Sequence, residues 1–305
     1  MNQAKKILLQ TTIPTMEDDW SIARFSRLGA LLGDQRDDSG NPIYDITMRD
    51  RDPVGAPDTV LSTIDGSDFE QLWLFAVDMG DGLTSEDCQA ISRFRRNGRG
   101  LLVTRDHMDL GSSVCTLGGV GAAHYFHSAN QDPDPGRRER DDPYTTSISW
   151  PNFHSGANGD YQEIEVVGAP HPVLANSRSP TGAIRYLPSH PHEGGIGVPD
   201  GENARVILRG RSIVTGLDFN IAVAFEPGEH GGPAIAHSTF HHFADYNWDP
   251  ASGAPSFVAE QPGDGLKRVP EAMADTHQYA LNVAAWLAGA VPLQPQLKAA
   301  SPQPA

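Results

Sequence analysis

Histidine and carboxylate residues gather at three places in this 305-residue chain. The densest runs His237-Ser238-Thr239-Phe240-His241-His242-Phe243-Ala244-Asp245 and follows the apolar stretch Pro233-Ala234-Ile235-Ala236. A second, Arg105-Asp106-His107-Met108-Asp109, follows Gly100-Leu101-Leu102-Val103-Thr104. A third, His190-Pro191-His192-Glu193-Gly194, lies in a Gly/Pro-rich loop. An apolar run that breaks into titratable groups reads as a buried strand with a functional loop, and ligands bind outside the carboxyl ends of strands in open α/β sheets. Imidazole titrates near neutral pH and a carboxylate can orient it, so the pattern suits acid–base or hydrogen-bonding chemistry. The bland alternative is a layer of histidines satisfied in polar loops, with no chemistry.

Other chemistries fit less well. A nucleophile elbow would sit directly after Thr104, where Asp106 and His107 stand; Cys115 lies further on and reads as structural. Ser112 and Ser238 lie near histidines, but no G-x-S-x-G motif supports a serine triad. Gly118-Gly119-Val120-Gly121 lacks the strand–GxGxxG–helix setting of a dinucleotide site. His190 and His192 flank a proline in an extended segment and are expected to point to opposite sides, leaving Glu193 as an inward group. His241 and His242 are adjacent, so at most one should face a pocket. A metal needs several converging ligands, and no HxxxH or CxxC spacing is present. No cofactor is expected. If an ion binds, zinc or another divalent metal that accepts imidazole fits best, on ligands drawn from His107, His192, Glu193 and His241.

Composition sets the bounds. With 38% hydrophobic and 20% charged residues the chain can bury a sizeable core. A net charge of −16 repels a phosphate backbone, and the one dense basic run, Arg137-Arg138-Glu139-Arg140, is followed by Asp141 and Asp142. Nucleic acid is not an expected partner. No apolar stretch reaches the ~20 residues that span a bilayer. Two cysteines, Cys88 and Cys115, build no disulfide framework, and with no signal-peptide core at the start a cytoplasmic setting is expected. A small molecule is the expected partner, and a homo-oligomer stays open.

The elements that must position these loops alternate along the first hundred residues. Strands are predicted at 6–10, 44–48, 72–77 and 101–104, and helices at 21–32 and from Thr84, whose spacing to Asp87 resembles a capping box. The rhythm predicts a doubly wound, mostly parallel sheet. Residues 129–201 are rich in Pro, Gly, Asp and Asn and read as a long loop-rich elaboration. Strands return at 204–208, 221–225 and 234–238, and a helix over 271–287 ends a single domain spanning 1–290. Residues 291–305 read as a disordered tail.

Taken in order, Gly98-Arg99-Gly100-Leu101-Leu102-Val103 with Asp106-His107, Leu117-Gly118-Gly119, Phe126-His127 and His171-Pro172-Val173-Leu174 resemble the trehalose-utilisation branch of the class I glutamine amidotransferase-like superfamily. Glu193 falls near a carboxylate of that branch, 233–236 with His241 approximate its strand-Gly-His-Asp element, and 280–289 match its last helix. The likeness spans about residues 5–290, although His190-Pro191-His192 and 241–245 depart from it. It implies a flavodoxin-like three-layer α/β fold without the amidotransferase Cys–His–Glu triad, and a link to sugar metabolism. Together, residues and resemblance nominate Asp106, His107, Glu193 and His241 for acid–base work on a small polar, sugar-like substrate. His124, His127, His192, His237 and Asp245 would complete the pocket wall. The competing expectation is a catalytically inactive ligand-binding or scaffold module of the same fold.

Overall fold

The computed structural model describes residues 3–139, 141 and 147–289; the expected tail at 291–305 lies outside them. The first half carries β1 (Lys5–Thr11), α1 (Ser26–Gly33), β2 (Tyr44–Arg49), β3 (Gln71–Phe75), α2 (Ser85–Arg96) and β4 (Gly100–Thr104). Short elements follow: α3 (Gly119–Ala122), β5 (His124–Tyr125), β6 (Tyr161–Glu163), β7 (Glu165–Val166), β8 (Tyr186–Pro188) and β9 (Gly195–Ile196). The last third holds β10 (Ala204–Arg211), β11 (Asp218–Phe225), β12 (Ala234–His237), α4 (Asp245–Trp248), α5 (Gly265–Arg268) and α6 (Pro270–Leu287).

Eight strands form one sheet in the order β2-β1-β3-β4-β12-β11-β10-β7. The first five are parallel and wound 2-1-3-4-5, the flavodoxin-like order. The remaining three join antiparallel, an extension that the expected parallel rhythm did not contain. Every residue of β3 and β4 is buried, as a strand covered on both faces requires. Alternation then sorts side chains into two layers. Ile7, Leu9, Trp73, Phe75, Leu102 and Ile235 face α1 and α6, while Leu8, Leu72, Leu74, Leu101, Val103 and Ala236 face α2.

Local signals explain the flanking helices. Thr84 accepts from the Asp87 amide while the Asp87 carboxylate accepts from Thr84, the reciprocal cap its spacing predicts. The expected helix at 21–32 is split instead: a 3-10 turn over Ile22–Phe25 leads into α1. α6 ends at Leu287 with Gly289 in the left-handed region at φ 70°. Its carboxyl end lies so close to β4 that a Cβ on Gly100 would sit 2.4 Å from the Leu287 carbonyl oxygen.

Two histidines serve the core and predict acid lability. Burial pushes His124 and His171 down to about 4. The unfolded chain, titrating near 6.5, then takes up protons first as pH falls, so folding stability is lost from about pH 6.5 down to about pH 4, by up to about 3 kcal/mol per histidine. Urea midpoints across pH 4–7 should show this decline, and His124→Gln should flatten it. A pH-independent midpoint over that range would refute the reading.

Candidate functional site

β4 and β12 are neighbours in parallel register, with Thr104 beside His237, so the loops leaving their carboxyl ends emerge together. The Phe240 amide donates to the Arg105 carbonyl at 2.8 Å, and Thr239 Oγ1 donates to Asp106 Oδ1 at 2.9 Å. The third segment, 189–194, is stitched on by the Gly194 amide donating to the Ser238 carbonyl at 3.0 Å. Paired hydrogen bonds between Glu193 and Phe153 fix it from the other side.

Asp106 is the hub of what converges there, 1% exposed. His107 Nδ1 lies 2.8 Å from Oδ2, His190 Nε2 lies 3.3 Å from Oδ1, and His241 Nε2 lies 3.7 Å from Oδ2. The rings of His190 and His241 stack with centroids 3.6 Å apart, and the Trp20 ring stands edge-on to His241. His192 packs against both His107 and His190; its Nδ1 meets Asn152 and its Nε2 meets Glu260 Oε1 at 3.0 Å. His107 is the member that reaches solvent, with 19% of its side chain exposed.

The electrostatics follow from burial and proximity. Burial alone would raise the Asp106 carboxyl, but His190, His107 and His241 outweigh it and hold the group well below the usual carboxylate range. Burial brings His190 down to about 4 against the pull of Asp106. Burial, and then the neighbouring His190, push His241 well below its ordinary value. At neutral pH an ionised carboxylate therefore faces two neutral imidazoles. Asp106, His190 and His241 each offer one ligand atom, all within 4.8 Å of one another, so the group could hold a metal ion.

The turn that delivers His107 is held in an uncommon conformation. Met108 has φ 47°, unusual for a residue other than glycine. Its amide donates to the Pro151 carbonyl and its own carbonyl accepts from Arg105 Nη2, which over-determines the turn. The Arg105 guanidinium is fully buried over the Phe126 ring at 4.2 Å, and burial lowers its pKa to about 9.

The structure sorts the nominated residues unevenly. Asp106, His107, His192 and His241 are brought together, and His241 and His242 diverge. The Glu193 carboxylate is engaged by a different set of groups: it accepts from Ser155, Gln162 and Ser238 and lies 3.4 Å from His242 Nε2. It is therefore not among the groups that contact Asp106, and the set that could hold a metal ion does not include it. His124 is held by the carbonyls of Val120 and Val103, and His237 is packed among His242, Phe243 and Tyr279; both belong to the core, not to a pocket wall. Asp245 caps the start of α1 through the amides of Ser26 and Arg27. His127 packs against Trp150, near the turn at Met108.

His190, expected to point away from His192, joins it at Asp106. The expected extended segment with the two histidines on opposite sides is overturned: Pro191 and His192 lie in a turn, and the His190 and His192 rings pack edge to face with centroids 5.6 Å apart. Asn158 and Asn247, which hold His190 and His241 through their Nδ1 atoms at 2.9 Å, carried no signal in the sequence.

No family model matches the chain, and no curated protein does. Solved structures similar to it include a cytoplasmic protein of Salmonella typhimurium, 11% identical over 90% of this chain and 98% of that one, with a TM-score of 0.41. The glutaminase domain of a Trypanosoma brucei CTPS with bound acivicin is 12% identical over 96% and 97%, with a TM-score of 0.46. The carbohydrate deacetylase Agd3 is 12% identical over 77% of this chain, which spans 29% of that one, with a TM-score of 0.38. Likeness at these levels carries no functional weight. No helix among the described residues is long and apolar enough to cross a membrane.

Proposed function

We propose that this protein is an enzyme acting on a small polar, sugar-like substrate by hydrolase- or lyase-type acid–base chemistry at the Asp106 cluster; the sugar-like substrate is what the resemblance to the trehalose-utilisation branch implies, the chemistry what the residues suggest. The observation that carries this reading is the convergence of Asp106, His107, His190, His192 and His241 from three separate chain segments beside the carboxyl ends of two parallel strands. His107, the partly exposed member, moves the proton; Asp106 orients it and stabilises the charge that develops. A thiol nucleophile has no place in it. Cys115 sits in the 3-10 turn Ser112–Thr116, and burial raises its pKa. Both thiols are free, which suits a reducing, cytoplasmic setting.

The second reading, a binding module without turnover, is favoured by one observation: Asp106, His190 and His241 are each no more than 3% exposed. A panel of keto-sugars, glycosides and amides separates the two. Turnover of one class, reduced about 100-fold in His107→Gln, is the expected result. A ligand that shifts the melting temperature while no compound in the panel turns over would sink the enzyme reading.

A further inference from the structure

We propose that a divalent transition metal, with zinc the first candidate, binds between Asp106, His190 and His241, and that Asn158 and Asn247 hold the two imidazoles in the tautomer this requires. The inference rests on the Asp106 cluster being the working site and adds to it the ion around which that site is built.

The tautomers can be deduced from one backbone carbonyl. The Ser189 oxygen can only accept, so the atom of Asn247 facing it at 3.1 Å is the amide nitrogen Nδ2. The same nitrogen donates to Asn158 Oδ1 at 2.8 Å. Asn247 Oδ1 is thereby left facing His241 Nδ1 at 2.9 Å, and Asn158 Oδ1 faces His190 Nδ1 at 2.9 Å. Both oxygens accept, so both Nδ1 atoms must carry the proton. In the neutral rings the two Nε2 atoms then bear lone pairs.

Those lone-pair nitrogens face the Asp106 carboxylate at 3.3 and 3.7 Å. Three acceptors thus confront one another in a buried space, and His190 Nε2 has no hydrogen bond among the described residues. Such an arrangement is costly unless something positive lies between the three. A proton on either ring is a poor answer, because each ring is 3% exposed and the two stack at 3.6 Å. A divalent cation answers it directly. Two imidazole nitrogens and one carboxylate form a three-ligand set with a position left for water or substrate, as catalytic zinc sites have. The asparagines supply the outer hydrogen bonds that ligating histidines need. The set differs from the His107, His192, Glu193 and His241 group expected from sequence: it keeps only His241.

The test uses the full chain, stripped with chelator and dialysed, then titrated with Zn(II) by calorimetry and with Co(II) by visible absorption. Saturation near one ion per chain is expected, with affinity falling about 100-fold or more in His190→Ala and His241→Ala. Asn247→Leu, which keeps every ligand, should lose about 10–100-fold while circular dichroism confirms the fold. Folded wild-type protein that binds neither Zn(II) nor Co(II) saturably overturns the proposal, whatever the variants do. So does binding that all three variants leave unchanged. Turnover undiminished in the metal-free protein would overturn the ion's place in the working site and leave the enzyme reading intact. Stoichiometric binding without turnover of any substrate would do the reverse.

Discussion

Glu193→Ala is expected to cost about 3–5 kcal/mol of folding stability, the usual cost of removing one partner from a buried charged network. The side chain is fully buried. Ser155 Oγ donates to it at 2.6 Å, Gln162 Nε2 at 2.5 Å and Ser238 Oγ at 2.8 Å. Alanine leaves Ser238 Oγ without its acceptor, at a cost of about 1–3 kcal/mol, while Ser155 Oγ keeps the His190 carbonyl and Gln162 Nε2 the Pro188 carbonyl. It also leaves a void at the point where 189–194 is pinned to the loop after β12. Glu193→Gln keeps the volume but turns an amide NH₂ towards at least one donor, so a smaller loss of about 1–3 kcal/mol is expected. Equilibrium urea unfolding measures both. A loss below about 1 kcal/mol for the alanine variant would show that the network relaxes around the gap. Under conditions where Glu193→Gln remains folded, any ligand binding at the Asp106 cluster should survive, because the Glu193 carboxylate makes none of the contacts that converge there.

Gly194→Ala is expected to damage stability and site together. A Cβ there would lie 2.3 Å from Arg105 Nη1, 2.4 Å from its Cδ and 2.5 Å from the Asp106 carbonyl oxygen. An exposed arginine would swing away at little cost. This one is fully buried on the Phe126 ring, and the third atom is backbone. The strain falls on the turn that aims Asp106 and His107. Overpacking of this kind costs about 1–3 kcal/mol, and a displacement of about 1 Å in a catalytic group can cost about 100-fold in rate. Urea unfolding should show the first effect and ligand affinity or turnover the second. A variant as stable as wild type, with the site's affinity unchanged, would mean that the loop has more room than the packing indicates.

Much of the fold was legible because it rests on short-range pattern. The run at 72–77 is apolar throughout and that at 101–104 apolar up to Thr104, the pattern of strands covered on both faces, while Thr84 and Asp87 announce α2 by spacing alone. The antiparallel β10–β11 extension was not, since an apolar strand does not state the direction of its neighbour. At the site, Asp106, His107 and His241 could be read because they follow strand ends. His124 and His237 also lie beside strand-like runs yet are buried in the core, a distinction that only tertiary packing makes. Asp245 illustrates the limit: it caps a helix whose start lies 219 residues away in the chain. Asn158 and Asn247 are common loop residues in a region full of them, and their roles exist only once His190 and His241 have met.

The parallel pairing of β4 with β12 also orders events in time. Asp106 and Thr239, in hydrogen-bond contact, are 133 residues apart along the chain. A chain emerging from the ribosome carries Asp106 and His107 long before it carries His241, and β4 must wait for that partner while its edge is open. Non-local pairing of this kind is slow, and the waiting edge is prone to association. The Asp106 cluster therefore assembles only when the sheet is complete: a nascent chain that has not yet reached β12 carries its first four strands with α1 and α2 but has neither His190 and His241 together nor α6 to cover one face.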